Sequence, residues 1–298
     1  MLLFKQMLVL LLIMIVGFFA AKKGIIDQET NKKISSIVVN IANPAMILSG
    51  GMNSDMDAMQ FFKILLLAVA LFAVLIILSY VIAFLLKVPP AQSGVYRCMV
   101  VFSNIGFMGI PLVHALYGDE AVLYASIFTI PFNILIYTFG IMQMGGENQK
   151  FEIKKAVNIG VLACLAAVCV TLFKLPVPDT IRSTMTYLGN LTSPLSMMVI
   201  GASFVQIRPK DLLCDIRLDI FMVVKMLVLP ILGVLLLKSC GINGVLLGVS
   251  MVMIAAPVGS MNAMLSQQYG GDYITATKGV ALSTVCAVLT MPVASLFL

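Results

Sequence analysis

The stretch SNIGFMGIPL, residues 103–112, lies inside a long apolar segment with the composition of a membrane-spanning helix. It contains Gly106, Gly109 and Pro111, and inside a helix glycine costs about 1 kcal/mol and proline about 3 kcal/mol relative to alanine. It also contains the polar amide of Asn104. In a membrane such interruptions persist where a cavity or neighbouring protein satisfies the freed backbone groups. The stretch therefore predicts a broken helix.

The composition of the whole chain is that of a membrane protein. Of its 298 residues, 61% are hydrophobic and 11% are charged, whereas a soluble domain is about 25% charged. Apolar runs of 18 residues or more recur, and each can cross a bilayer as a helix. We predict an all-α polytopic protein embedded in a lipid bilayer. No nucleic-acid partner is expected, because the net charge of +6 is not gathered into a basic cluster interleaved with aromatic residues.

Ten apolar segments can be placed along the chain. They fall near residues 2–21, 34–52, 61–86, 94–116, 120–143, 153–173, 184–207, 218–238, 242–267 and 272–298. If the N-terminus is outside, 14 of the 19 lysines and arginines lie on the inner side. This bias follows the positive-inside rule. It predicts a multi-pass protein of the plasma (inner) membrane with both termini on the extracytoplasmic side.

The two halves of the chain resemble each other. The segment NIANP (40–44) matches NLTSP (190–194), and SNIGFM (103–108) matches APVGSM (256–261) at an offset of 153 residues. We interpret residues 1–148 and 149–298 as two five-helix repeats. Five is odd, so the second repeat enters the membrane from the opposite side. Inverted repeats of this kind are common in secondary transporters.

A second interruption, APVGSMN (256–262), corresponds to the first. It contains Pro257, Gly259, Ser260 and Asn262. Each break creates a half-helix N-terminus with free N–H groups and a partial positive charge, so two facing ends can hold a carboxylate. We expect the amides and hydroxyls at the breaks to cap these ends: Asn104 and Ser103 in the first, Asn262 and Ser260 in the second. The structural alternative is that the breaks only kink the helices for packing.

Two further prolines lie in the middle of apolar segments. Asn43 precedes Pro44 in the second span, and Ser193 precedes Pro194 in the seventh. Proline removes a backbone donor, and the preceding polar side chain can satisfy the freed groups. We therefore interpret Pro44, Ser193 and Pro194 as structural helix-break residues. Asn43 can either share that role or face a substrate.

The ionisable residues are informative by their positions. All 13 acidic residues fall in loops or at segment ends, whereas proton pumps and many sodium-coupled carriers keep a carboxylate within the membrane. Sodium held by carbonyls and amides at the breaks, or a proton carried by the substrate, both remain open as coupling ions. Lys225, a few residues inside the eighth span, is expected to snorkel to the cytoplasmic interface. The alternative is a fixed charge that attracts an anion.

Signatures of enzymes and cofactor sites are missing from the sequence. It has no HExxH, GxSxG or P-loop motif and only a single histidine, His114. We predict no enzymatic activity, no cofactor and no metal site.

The segments NIANPAMIL, VFSNIGFMGIPLV and APVGSMNAMLSQQYGGD resemble the signature segments of the auxin efflux carrier family, and the resemblance extends over essentially the whole chain. It implies a five-plus-five inverted repeat similar to sodium/proton antiporter and bile-acid symporter folds, with spans 4 and 9 broken and crossing at the substrate site. It also implies a scaffold of spans 1, 2, 6 and 7, often homodimeric. Spans 3–5 and 8–10 would form a mobile domain that moves like an elevator. Family substrates are small organic acids such as auxins, malate and malonate.

The resemblance carries over residue by residue at the two breaks. Asn104, Gly106, Gly109 and Pro111 match the first crossing segment, and the second is matched by Pro257, Gly259, Ser260 and Asn262. The chain lacks the long hydrophilic loop of the plant members and resembles the compact prokaryotic type. The expected function is secondary transport of a small organic anion. The alternative is a transporter-like membrane sensor that binds an organic acid without flux.

Overall fold

The computed structural model describes residues 2–145, 153–206 and 215–298, and most of these residues are helical. No strand occurs within these ranges, and one isolated antiparallel bridge joins Ser103 to Val258. A short helix, Ile153–Ala156, precedes α6. The main helices, numbered after the predicted spans, are α1 (Leu2–Lys22), α2 (Gln28–Met52), α3 (Ala58–Leu85), α4a (Pro90–Val101), α4b (Ile105–Tyr117), α5 (Asp119–Gly145), α6 (Ile159–Leu172), α7a (Asp179–Asn190), α7b (Thr192–Ser203), α8 (Ile216–Ser239), α9a (Gly244–Ala255), α9b (Met261–Tyr269) and α10 (Tyr273–Ser295).

Several of these helices have the length and apolar character needed to cross a membrane. Five qualify fully, namely α2, α3, α5, α8 and α10, and shorter apolar helices lie in α1, α4b, α6 and α9a. The outward surface is apolar as well: on α3, Leu66, Ile77 and Phe84 are all exposed. A polar solvent does not favour such a surface, but lipid does. The prediction of an all-helical, multi-pass membrane protein is confirmed.

The predicted segments missed two polar helical extensions. Helix α2 begins six residues before the predicted segment 34–52, and its first turn is capped by Asp27, which accepts from the Thr30 N–H at 2.7 Å. Helix α7a likewise begins before the predicted segment 184–207. The added turns are polar on one face, so a search for continuous apolar runs does not detect them.

Three helices loosen into a π-helical turn two residues before a proline. The turns are Val38–Ala42 before Pro44, Ile105–Gly109 before Pro111, and Val224–Val228 before Pro230. Proline lacks an N–H group, and its ring clashes with the carbonyl four residues earlier. The wider π-turn relieves that conflict without ending the helix. In the seventh span the chain instead turns at Leu191, between α7a and α7b, three residues before Pro194.

Helices α1 and α7b pack backbone to backbone. A Cβ atom added to Gly17 would overlap the Met198 carbonyl, and one added to Gly201 would overlap the Met14 carbonyl. This reciprocal contact of small residues is typical of helix packing in membranes. Helix α2 makes similar close contacts with α6 and α7a.

Replacing Gly17 by valine should separate α1 from α7b. The new side chain would meet the α7b backbone, and overpacking of this kind lowers the free energy of unfolding by about 1–3 kcal/mol. Thermal unfolding in detergent, followed by circular dichroism, measures the effect. Val16→Leu, on the neighbouring exposed position, is the control. Equal midpoints for the two variants would contradict the packing described.

Candidate functional site

The two interrupted helices meet where they break. After α4a and after α9a, the backbone becomes extended. These two extended segments run antiparallel, with Ser103 opposite Val258. The Asn104 N–H donates to the Pro257 carbonyl at 2.7 Å, and the Gly259 N–H donates to the Phe102 carbonyl at 2.9 Å. We call residues 102–106 and 256–262 the crossover. Two motifs 153 residues apart in sequence are therefore paired through their backbones.

Gly259 allows this close approach. A Cβ atom at this position would lie 3.1 Å from the carbonyl oxygens of both Phe102 and Ser103. Both oxygens belong to the paired backbone, so they cannot move aside as a flexible side chain would. Glycine at this position is therefore a requirement of the crossing.

Asn262 binds backbone carbonyls of the crossover and does not cap a helix. Its side chain is completely buried, and its Nδ2 donates to the carbonyls of Phe102 at 2.8 Å and Gly259 at 2.9 Å. The Asn262 Oδ1 is buried and has no hydrogen-bond partner. Ser260 precedes α9b but makes no capping hydrogen bond through its side chain. The expectation that Asn262 and Ser260 cap this helix is therefore wrong, because the asparagine side chain adds a second donor to two carbonyls of the break that already accept a backbone N–H.

In the first break the asparagine does cap its helix. Asn104 Oδ1 accepts from the Phe107 N–H at 3.3 Å, and Asn104 is 9% exposed. Ser103 does not cap α4b; its hydroxyl is bound by Lys225 instead. The two breaks are thus related in backbone pairing but not in the roles of their polar side chains.

Besides that of the buried Ser103, three backbone N–H groups at the crossover have no hydrogen-bond partner among the described residues. They belong to Gly106 in the first turn of α4b, and to Ser260 and Met261 at the start of α9b. Gly106 and Met261 are partly exposed, and Ser260 is exposed. Free N–H groups at helix N-termini carry partial positive charge and bind anions. The geometry thus offers donors of both half-helices to an acidic ligand.

Neighbouring helices bring other predicted residues to α4b. Asn43 Nδ2 lies 3.5 Å from the Gly106 carbonyl, and Asn43 Oδ1 is buried without a hydrogen-bond partner. Ser193 Oγ lies 3.5 Å from the Pro111 carbonyl, further along the same helix. A Cβ at Gly109 would lie 3.1 Å from the Met253 side chain of α9a. The structure brings Asn43 to the crossover, whereas Ser193 and Gly109 pack against the helices beside it.

Pro44 and Pro111 are buried, and Pro194 is half-buried. Each lies within a helix beyond the interruption that precedes it.

Lys225 of α8 contacts the crossover at Ser103, and the sequence analysis missed this position. The prediction that it snorkels to the interface is wrong, because its side chain is 0% exposed. Its Nζ donates to Ser103 Oγ at 2.8 Å and to the Ile254 carbonyl at 2.8 Å. The sequence did contain a signal for this burial, namely the depth of Lys225 in the span. Helix α8 begins at Ile216, and Lys225 lies nine residues later, about 14 Å along the helix axis.

Two surface cavities lie away from the crossover. One, of about 620 Å³, is lined by residues that include Gln92, Arg217 and Asp272. Another, of about 430 Å³, is lined by residues that include Tyr80 and Arg97. Neither is lined by a crossover residue; at the crossover itself Lys225 is buried and Ser260 is exposed.

The all-helical membrane fold, with two interrupted helices paired inside it, places the protein in the class of multi-pass membrane transport proteins. Comparison with known families agrees: the profile of the family described as "Membrane transport protein" matches residues 2–160 and 152–295. The chain belongs to this family, the auxin efflux carrier family, as the resemblance implied. Membership indicates a transporter rather than an enzyme.

Two archaeal relatives match over nearly their full length. An uncharacterized transporter of Methanocaldococcus jannaschii is 24% identical over 296 residues, which cover 95% of each chain. An uncharacterized transporter of Methanothermobacter thermautotrophicus is 21% identical over 302 residues, which cover 99% of this chain and 98% of the relative.

The two crossover glycines should respond differently to alanine. Gly259→Ala should lower the unfolding midpoint, since the new methyl group would contact two fixed carbonyl oxygens. Gly106→Ala is the matched control, because the nearest atom to its Cβ would be Asn43 Nδ2 at 3.9 Å. We expect a difference of about 1–3 kcal/mol in unfolding free energy between the variants. Equal stability would show that the breaks are not closely paired.

Proposed function

We propose that this protein is a secondary transporter that carries a small organic anion across the plasma membrane. Candidate substrates are carboxylates such as malate, malonate or an auxin-like acid. The main support for this proposal is that the backbone N–H groups of Gly106, Ser260 and Met261 at the crossover are unpaired. They supply hydrogen-bond donors from two helix N-termini, while Lys225 adds a positive charge where it binds Ser103 and Ile254.

Contacts between helices support the proposed inverted repeat of ten spans. The packing of α1 on α7b recurs, five helices later, as α6 on α2. The contact of α3 with α4a recurs as α8 with α9a, and that of α4b with α5 recurs as α9b with α10. Repeated contacts of this kind are expected if residues 1–148 and 149–298 share one fold. An odd number of helices in each then inverts the second repeat.

The same contacts support a division into a scaffold and a mobile domain. We assign α1, α2, α6 and α7 to the scaffold, through which two copies would form a homodimer, and α3–α5 with α8–α10 to the mobile domain. The crossover backbone then belongs entirely to the mobile domain. Asn43 reaches it from the scaffold through a contact of 3.5 Å, which an elevator-like movement would break. In this proposal both termini lie on the extracytoplasmic side.

Reconstituted protein should take up a carboxylate. We would first screen mono- and dicarboxylates for a rise in the unfolding temperature, because a ligand that binds the folded state raises apparent stability. Radiolabelled forms of the acids that shift it are then tested for flux into proteoliposomes. Uptake above empty liposomes is expected. Binding without flux under any ion gradient would favour the sensor alternative and contradict the transporter.

Asn104→Asp separates anion binding from folding. The aspartate can still accept the Phe107 N–H, so the unfolding midpoint should change little. Its negative charge would repel an anion, and at 4 Å this repulsion is roughly 4 kcal/mol at the effective dielectric of a protein surface, so flux should fall at least about tenfold. Asn190→Asp, at the exposed end of α7a, is the control. Undiminished flux in Asn104→Asp would remove the crossover from the proposal.

A further inference from the structure

The buried ammonium of Lys225 has no acidic partner among the described residues. Its two hydrogen bonds, to Ser103 Oγ and to the Ile254 carbonyl, involve neutral groups. The helices packed on the Lys225 turn include α9a and α10. These two helices contain no aspartate or glutamate, and the crossover contains none.

Lys225 therefore sets the net charge of the site. Four half-helix ends meet here, and each carries roughly half an elementary charge. The N-terminal ends of α4b and α9b are positive, and the C-terminal ends of α4a and α9a are negative, so their charges cancel in sum. The ammonium remains as an uncompensated single positive charge, which one carboxylate would neutralise.

The ammonium also occupies the kind of place where a coupling cation would bind. Ile254 belongs to the last turn of α9a, and unwound carbonyls and half-helix C-termini are the groups that hold coupling ions in broken-helix transporters. With its Nζ 2.8 Å from both oxygens, Lys225 binds two oxygens of the kind that coordinate a sodium ion.

We propose that Lys225 is a built-in counter-ion that replaces a co-transported cation. This inference rests on the proposed function and deepens it: the substrate is a monocarboxylate, its transport is independent of sodium, and it crosses the membrane as a neutral complex with the carrier. An ammonium has three N–H donors and two are engaged, which leaves the third for the carboxylate.

The positive charge of Lys225 determines which step of the transport cycle responds to membrane potential. A carrier loaded with a monovalent anion has no net charge at the crossover, whereas the empty carrier returns with one positive charge. Exchange of labelled for unlabelled substrate uses only the loaded carrier, so exchange should not depend on voltage. Net flux requires the empty return and should depend on it.

The experiment measures exchange and net flux of radiolabelled indole-3-acetate and malonate in proteoliposomes, with potentials set by potassium and valinomycin. For the wild-type protein, indole-3-acetate should be carried in preference to malonate. Replacing sodium by choline should leave flux unchanged, and indole-3-acetate exchange should change by less than about 1.5-fold between 0 and −100 mV. In Lys225→Met the loaded complex is negative, so net flux should fall at least about tenfold and residual exchange should vary several-fold over that range.

Two variants complete the test. Lys225→Arg keeps the charge and should keep exchange independent of voltage, and Lys238→Met, exposed on the same helix, should behave as wild type. If the methionine variant does not fold, the wild-type and arginine measurements still decide. Sodium-dependent flux, preference for malonate, or voltage-dependent exchange in the wild type would overturn the inference while leaving transport intact. Absence of flux for both acids would overturn the proposed function as well.

Discussion

Every backbone group that a broken helix exposes within a membrane must find another partner, because water is absent there and each unsatisfied group costs several kcal/mol. Here each break satisfies part of this need in the other. Asn104 donates to Pro257, and Gly259 donates to Phe102, in a bridge that neither half of the chain can form alone. Each interruption is thus tolerable because the other exists. The close packing of the surrounding helices holds the two extended segments in register.

The exchange of hydrogen bonds at the crossover is unequal, and the inequality has chemical consequences. Carbonyl oxygens of both breaks receive built-in donors: Asn262 binds those of Phe102 and Gly259, and Lys225 binds that of Ile254. The N–H groups of Gly106, Ser260 and Met261 receive no such acceptors among the described residues. Free N–H groups at helix N-termini favour an anion, which agrees with the proposed function, and the amide oxygens of Asn43 and Asn262 are acceptors that remain unpaired.

Much of this arrangement could be predicted from residue types alone. Glycine and proline inside apolar segments revealed both breaks, and their regular spacing suggested the repeat. What could not be predicted depends on tertiary partners. Asn104 and Asn262 occupy breaks of similar sequence, yet one caps a helix and the other binds carbonyls, because the backbone groups within reach of the two side chains differ. The polar first turns of α2 and α7a were missed since an apolar search ignores amphipathic helix.

Lys225 is the clearest example of a position that could not be predicted from the sequence. A single lysine without an acidic neighbour in sequence is usually a snorkelling residue, and only its depth along α8 argued otherwise. Its burial is sustained by two hydrogen bonds and by the negative end of α9a, yet an unpaired charge remains costly in a medium of low dielectric constant. Binding an anion lowers that cost. The substrate would then stabilise the loaded carrier in the membrane by the same charge that attracts it, without altering the net charge moved in a complete cycle.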